Sequence, residues 1–295
     1  MKFWHFAPCV CLLLLGLQSG SAGTLAQFRT AFGDIEVELY DQDKPATVEN
    51  FKRLVASGAY LNTFFHRLEP GFVIQGGGFA TPARSSTNLF APPWSYLASV
   101  PNFGSIINEF QVGRRLSNTN GTIAMAKTSD PNSANSQFFF NLGDNSVSLD
   151  NTNNSGAFTV FGHVVGDASG VLGLFNTFAY GYGMVPMAAL FPNDAVATNL
   201  FKTLPVTYAG AYYPRYQDLI FVDVTLLQVA VKPLAGGAKE ISWNSLSGTT
   251  NVVEFTTNLP PVWNTLARTN GTGLRMTVED STATPQCFYR VRVAY

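Results

Sequence analysis

Arg67 sits in the run Phe65-His66-Arg67-Leu68-Glu69-Pro70-Gly71-Phe72-Val73-Ile74-Gln75-Gly76-Gly77-Gly78-Phe79, one cation among aromatic, aliphatic and amide side chains. A guanidinium stays charged at physiological pH and presents several N–H donors in a rigid fork. It therefore suits a substrate that is held and stabilised electrostatically rather than cleaved. Other familiar chemistries have no residues to run on. His66 and His163 stand far apart, and neither has the H-x-x-x-H spacing with a nearby carboxylate, so no metal is expected. There is no G-x-S-x-G elbow and no G-x-x-x-x-G-K-[ST] loop. Gly76-Gly77-Gly78 leads into Phe79 and Thr81-Pro82 rather than a helix start, which predicts a backbone bend and not a phosphate cradle. No cofactor is expected.

The elements that must position Arg67 are mostly strands. Ile35, Val37 and Leu39 alternate with Asp34, Glu36 and Glu38, the period of a half-buried strand. Pro45 then suits a first helical position, and Val48, Phe51, Leu54 and Val55 follow at helical spacing until Gly58. A second helix is predicted from Val171, Leu174, Phe175 and Phe178, with Gly181 after it. Further strands are expected over 71–75, 121–126, 137–142, 159–165 and 219–229. Many short strands with two helices and Gly-rich turns predict a closed or nearly closed barrel rather than a doubly wound sheet. Proline-rich stretches near 81–103 and 176–216 break the spacing and read as insertions. From residue 232 to 295 the alternation of Ile241 and Trp243, Val253 and Phe255, Met276 and Val278 predicts a small all-β unit, with Trp243, Trp263 and Tyr289 as its core.

Composition narrows the function. A chain 46% hydrophobic and 13% aromatic has ample side chain to bury and is not disordered. Its 18 basic and 19 acidic residues leave no basic surface for a nucleic-acid partner. Residues 1–23, with Lys2, an apolar run from Ala7 to Leu17 and then small polar residues, read as a secretory signal. That run is shorter than the roughly 20 residues that span a bilayer. Export to a periplasmic or extracellular location is therefore expected, with no stable membrane insertion after cleavage. Cys9 and Cys11 would leave with the signal, and Cys287 alone cannot form an intrachain disulfide.

Downstream of the arginine run come Gly121-Thr122-Ile123-Ala124-Met125-Ala126, then Asn135-Ser136-Gln137-Phe138-Phe139-Phe140, Leu149-Asp150 and Phe158-Thr159-Val160-Phe161-Gly162. In this order and wording the chain resembles the cyclophilin-type peptidyl-prolyl cis/trans isomerases, closest to their exported bacterial members, over residues 24–231. The resemblance implies a mainly β fold, an eight-stranded antiparallel closed barrel capped by two helices. It implies that Arg67 is the catalytic arginine. It further implies that Phe72, Val73, Gln75, Ala126, Gln137, Phe139, Leu149 and Phe158 line a groove for proline-containing polypeptides. Strand alternation turns Phe139 away from Phe138 and Phe140, which are then core. His66 is expected to be a core histidine, since this reaction moves no proton, and His163 to face solvent.

Three positions depart from the family. Ser148 stands where a tryptophan or phenylalanine precedes the Leu-Asp pair, Phe158 where members have histidine or tyrosine, and Lys127 where asparagine is common. The expectation is that Phe90 or Trp94, from the first insertion, folds over the groove to replace the missing wall. Two other functions compete with isomerisation of exported proteins: a proline-peptide-binding module with little or no turnover, and a secreted structural protein in which the tail matters most.

Overall fold

The computed structural model describes residues 24–165, 170–210, 213–227, 229–245, 250–258, 260–272, 274–282, 284 and 286–294. The expected secretory signal lies outside them. The first half contains β1 (Leu25–Thr30), β2 (Gly33–Leu39), α1 (Pro45–Ala56), β3 (Thr63–Phe64), β4 (Arg67–Glu69), β5 (Val73–Gly76), β6 (Phe79–Ala80), β7 (Ala98–Ser99), β8 (Thr122–Met125) and β9 (Phe138–Asn141). Then come α2 (Ser146–Leu149), β10 (Val160–Val164), α3 (Val171–Phe175), β11 (Ala179–Tyr180), β12 (Tyr182–Val185), α4 (Met187–Leu190), α5 (Ala195–Asn199), β13 (Leu204–Ala209) and β14 (Phe221–Leu227). The tail comprises β15 (Val229–Pro233), β16 (Lys239–Asn244), β17 (Thr250–Thr256), β18 (Asn264–Asn270), β19 (Arg275–Asp280) and β20 (Phe288–Ala294).

The fold is mainly β. One antiparallel sheet runs β4-β5-β9-β8-β10-β2-β1-β14-β3-β6-β7. β3 and β4 are two ends of one run: Phe65 N donates to Ile220 O at 3.0 Å, and His66 N to Gln75 O at 3.0 Å. The curled sheet is thus tied to itself by residues 63–69, half bonded to β14 and half to β5. Counting that run once, and setting aside the short pair β6 and β7, leaves the eight strands expected.

Inside lies an aromatic core. Phe28 meets Phe138 and Phe140 edge-on at 5.2 and 5.1 Å, and α1 adds Val48, Phe51 and Leu54. α1 begins at Pro45 without a side-chain cap from its own neighbour. Glu109 instead supplies the acceptors, taking Ala46 N at 3.0 Å and Thr47 N at 2.7 Å and placing negative charge at the positive helix end. The second expected helix is shorter than its apolar spacing suggested. It ends at Phe175, and the side chain of the next residue, Asn176, accepts from Gly71 N at 2.7 Å and donates to Leu142 O at 3.0 Å.

The two insertions build a second core. Phe90, Phe201, Leu204 and Tyr216 are buried with Phe64, Phe79 and Phe221, and Trp94 packs against them. Tail strands form two three-stranded sheets, around Ile241, Trp243, Val253 and Val291. Trp263 is outside this core, contrary to expectation: it is half-buried, with the Arg290 guanidinium 4.3 Å from its ring. Tyr289 packs at the core margin.

Candidate active site

Strand register assembles the site. Arg67 lies opposite Gln75, Gln75 opposite Phe139, Phe139 opposite Ala124, and Ala124 opposite Val160. Directly opposed residues share a sheet face, so these five form one row across β4, β5, β9, β8 and β10 on the outside of the barrel. Phe138 and Phe140 point the other way into the core, as alternation predicts.

Around the row, Val73, Ala124, Phe139, Leu149 and Val160 form a buried apolar cluster, with Phe72, Ala126, Phe158, Tyr40 and Leu116 half-buried around it. Phe158 meets Phe139 edge-on at 5.9 Å. The polar edge is a chain of amides. Arg67 Nη1 lies 3.5 Å from Gln75 Oε1, and Gln75 Nε2 donates to Gln137 Oε1 at 2.8 Å. Gln137 is also hydrogen-bonded to the His66 side chain. Burial pushes His66 down to about 3, with the Arg67 charge adding to the effect, so a neutral imidazole sits at the end of the chain. His66 is 3% exposed and packs edge-on against Phe79 at 5.1 Å. The guanidinium has a second neighbour, Glu69 Oε1 at 3.7 Å from Nη2. Thr203, from the second insertion, donates to that carboxylate at 3.3 Å. Gly77 makes the bend after β5 at φ 72°, where an added Cβ would lie 2.6 Å from Ser136 O.

All nine residues singled out by the sequence therefore meet on one outer face: Arg67, Gln75 and Gln137 along its polar edge, the other six in its apolar floor and walls. The expected extra wall is absent. Phe90 and Trp94 face Phe201, at 5.1 and 5.3 Å, in the second core rather than Phe139 and Leu149. The indole Nε1 donates to Asp194 Oδ1 at 3.2 Å, which fixes Trp94 there. Ser148 is exposed, so the α2 side of the groove is open.

Sequence reasoning missed the supports. Asn145 Nδ2 donates to Phe72 O and to Asn141 Oδ1, both at 2.7 Å. Asn141 Nδ2 reaches Asn118 Oδ1 at 3.1 Å, and Asn118 Nδ2 reaches Asp150 Oδ1 at 2.8 Å and Phe158 O at 3.0 Å. This buried relay holds the loops of Phe72, Leu149 and Phe158 to one another, and satisfied buried polar networks of this kind rigidify their surroundings. Asn141, a polar residue directly after the run Phe138-Phe139-Phe140, was the one available signal. Ahead of Phe158, Ser155 and Ala157 adopt φ of 53° and 63°. Such conformations persist where neighbours fix them. Here Asn108 Nδ2 binds Gly156 O at 2.8 Å and Ala157 O at 3.1 Å, while Lys127 Nζ binds Ser155 O.

Comparison with known proteins adds independent findings. The family model for cyclophilin-type peptidyl-prolyl cis-trans isomerase/CLD matches residues 25–178. A peptidyl-prolyl cis-trans isomerase of Acinetobacter baylyi is 39% identical over 163 residues, 55% of this chain and 78% of its own. Peptidyl-prolyl cis-trans isomerase A of Dickeya dadantii is 40% identical over 148 residues, 50% of this chain and 68% of its own. A solved cyclophilin-type isomerase of Cryptosporidium parvum, crystallised with the dipeptide Ala-Pro, is 21% identical and overlays loosely, at a TM-score of 0.39 over 68% of this chain and 98% of its own.

Proposed function

The chain belongs to the cyclophilin-type peptidyl-prolyl cis-trans isomerases, and from that premise we propose that Arg67 and the groove of Phe72, Val73, Phe139, Leu149 and Phe158 turn over Xaa-Pro bonds of exported polypeptides. The observation that carries the site assignment is the cross-strand row that sets a guanidinium fork at the edge of an apolar cluster on the outer face of the sheet.

The reaction needs no proton transfer. Rotation about an Xaa-Pro bond is slow because it breaks C–N resonance, with a barrier of about 18–20 kcal/mol. As the bond twists, the proline nitrogen loses conjugation and gains lone-pair character. A donor aimed at it binds the twisted state more tightly than either planar one, which lowers the barrier. Arg67 supplies that donor, and Gln75 restrains one arm of the fork while Gln137 restrains Gln75 in turn. The apolar floor takes the proline ring and displaces water, which strengthens the arginine contact. Neutral His66 positions Gln137 without exchanging a proton with substrate.

Export is supported by the apolar run from Ala7 to Leu17 and the small polar residues after it. N-terminal sequencing of the protein recovered from outside the cytoplasm tests it; an N-terminus still at Met1 in the cytoplasmic fraction contradicts it.

The function is tested by exchange spectroscopy on an Ala-Pro peptide with the full chain and with Arg67→Ala. The parent accelerates exchange, and the variant, folded by circular dichroism, loses about 100-fold or more in kcat/KM. Equal acceleration by both removes Arg67 from the mechanism. The open α2 side, left by exposed Ser148, favours a second reading, a proline-peptide-binding module. Binding with no acceleration by the parent would select it.

A further inference from the structure

Arg67 and Lys127 both border the groove, and they differ in what balances them. Arg67 has the Glu69 carboxylate 3.7 Å away. Lys127, one residue beyond the groove residue Ala126, has no carboxylate within 4.0 Å among the described residues. Its ammonium donates to Ser155 O and sits 4.1 Å from the centroid of the Phe158 ring. A carbonyl and a π-face stabilise a cation but neutralise none of its charge. The site is partly desolvated: burial lowers the pKa of Lys127 from its ordinary value, and Asp130 offsets this only as a lesser, more distant influence. An incoming anion would restore to the ammonium what burial has taken from it.

The position fits a neighbour of the proline. From the ammonium, one contact leads to the Phe158 ring and a second, 5.9 Å between centroids, to Phe139 in the proposed proline slot. An extended peptide advances about 3.3–3.6 Å per residue, so a residue beside the proline, with a carboxylate on a short stem, spans that interval. The Lys127 anchor is also fixed in place, because Ser155 lies in the loop that Asn108 pins through Gly156 and Ala157.

We propose that Lys127 is a specificity-determining residue, and that the enzyme favours Xaa-Pro segments with an aspartate or glutamate directly beside the proline. This rests on the isomerase reading of the groove and names its substrate class.

The test is exchange spectroscopy at low ionic strength with the full chain. Two peptide series carry Glu, Ala or Lys, one at the residue before proline and one at the residue after it. In at least one series the Glu peptide exceeds the Lys peptide by about three- to tenfold in kcat/KM, the range of a partly exposed charge contact counted against its repulsive counterpart. Lys127→Gln brings that ratio near one, whereas Lys127→Arg keeps it. Salt at 1 M collapses the ratio in the parent, as a charge contact requires, and Lys127→Asn, which also removes the charge, brings the ratio near one should Lys127→Gln not fold. A parent ratio near one in both series, a ratio unchanged in Lys127→Gln, or one indifferent to salt overturns the proposal while leaving the isomerase reading intact. No acceleration of the Ala peptide by the parent overturns both.

Discussion

The barrel carries two aromatic clusters outside its main core, and they differ in how their edges are built. Around Phe139 the cluster is floored by small and aliphatic residues, Ala124, Val73 and Val160, and its side toward Ser148 is open. Around Phe201 the chain has brought its own aromatic side chains, Phe90, Trp94 and Tyr216, and closed the surface. Both are apolar. The groove differs in having a row of polar groups along one edge, from Arg67 through Gln75 to Gln137, and a buried asparagine relay that fixes its walls from behind. Under the proposed function the cluster flanked by this polar row is the site, and the cluster packed on itself contributes stability instead.

Removing one ring from each region separates these roles. The largest effect on stability is expected for Phe201→Ala, fully buried among aromatic neighbours: a loss of about 3–5 kcal/mol in urea unfolding, with kcat/KM on a neutral Ala-Pro peptide within about twofold at a temperature where the variant is folded. Phe139→Ala should reverse the emphasis, lowering kcat/KM by about tenfold or more. If Phe201→Ala abolishes turnover while folded, the two regions are not independent. Such coupling has a visible route, because Thr203 of the second insertion donates to Glu69 beside Arg67.

Much of the groove was legible because strands obey a strict two-residue period. That period alone separates Phe139 from Phe138 and Phe140, and the motif order supplies the rest of the row. The partner of a long-range contact was not legible. Aromatic residues in the first insertion can cover any apolar surface, and the sequence does not state that Phe90 and Trp94 meet Phe201 rather than Leu149. Glu109 capping α1 and Asn176 bonding to Gly71 just beyond α3 are likewise contacts between distant segments. Trp263 illustrates the same limit in the tail, where a large ring serves as a platform for Arg290 instead of joining Trp243.

Smaller effects sharpen the comparison. Ser148→Trp adds a ring on the open side of the groove and is expected to lower KM for a proline peptide by a few-fold, with thermal unfolding little changed; an unaltered KM would mean the α2 side does not meet substrate. The smallest effect concerns pH. With Arg67 charged and His66 neutral, kcat/KM on a neutral peptide should be flat from about pH 5 to 9. Stability should not be flat. His66 takes up a proton near 6.5 when unfolded and only near 3 when folded, so the unfolded state binds more protons between those values and stability falls as pH drops through that window. In the tail, Glu254 is held down to about 2, chiefly by its hydrogen bond from Arg292, against 4.5 unperturbed, so its contribution is lost at lower pH, between about 4.5 and 2. Urea midpoints against pH, followed by near-ultraviolet signals, check both.

The central claim is that proline is bound by the open cluster beside Arg67 and not by the closed one beside Trp94. Titration of the isotope-labelled full chain with an Ala-Pro peptide, read by side-chain chemical shifts, tests it most directly. The account predicts shifts at the Arg67 guanidinium, the Gln75 and Gln137 amides and the Phe139 ring, with the Trp94 indole unmoved. Shifts at Trp94 and Phe201 with Arg67 and Phe139 unmoved would contradict it.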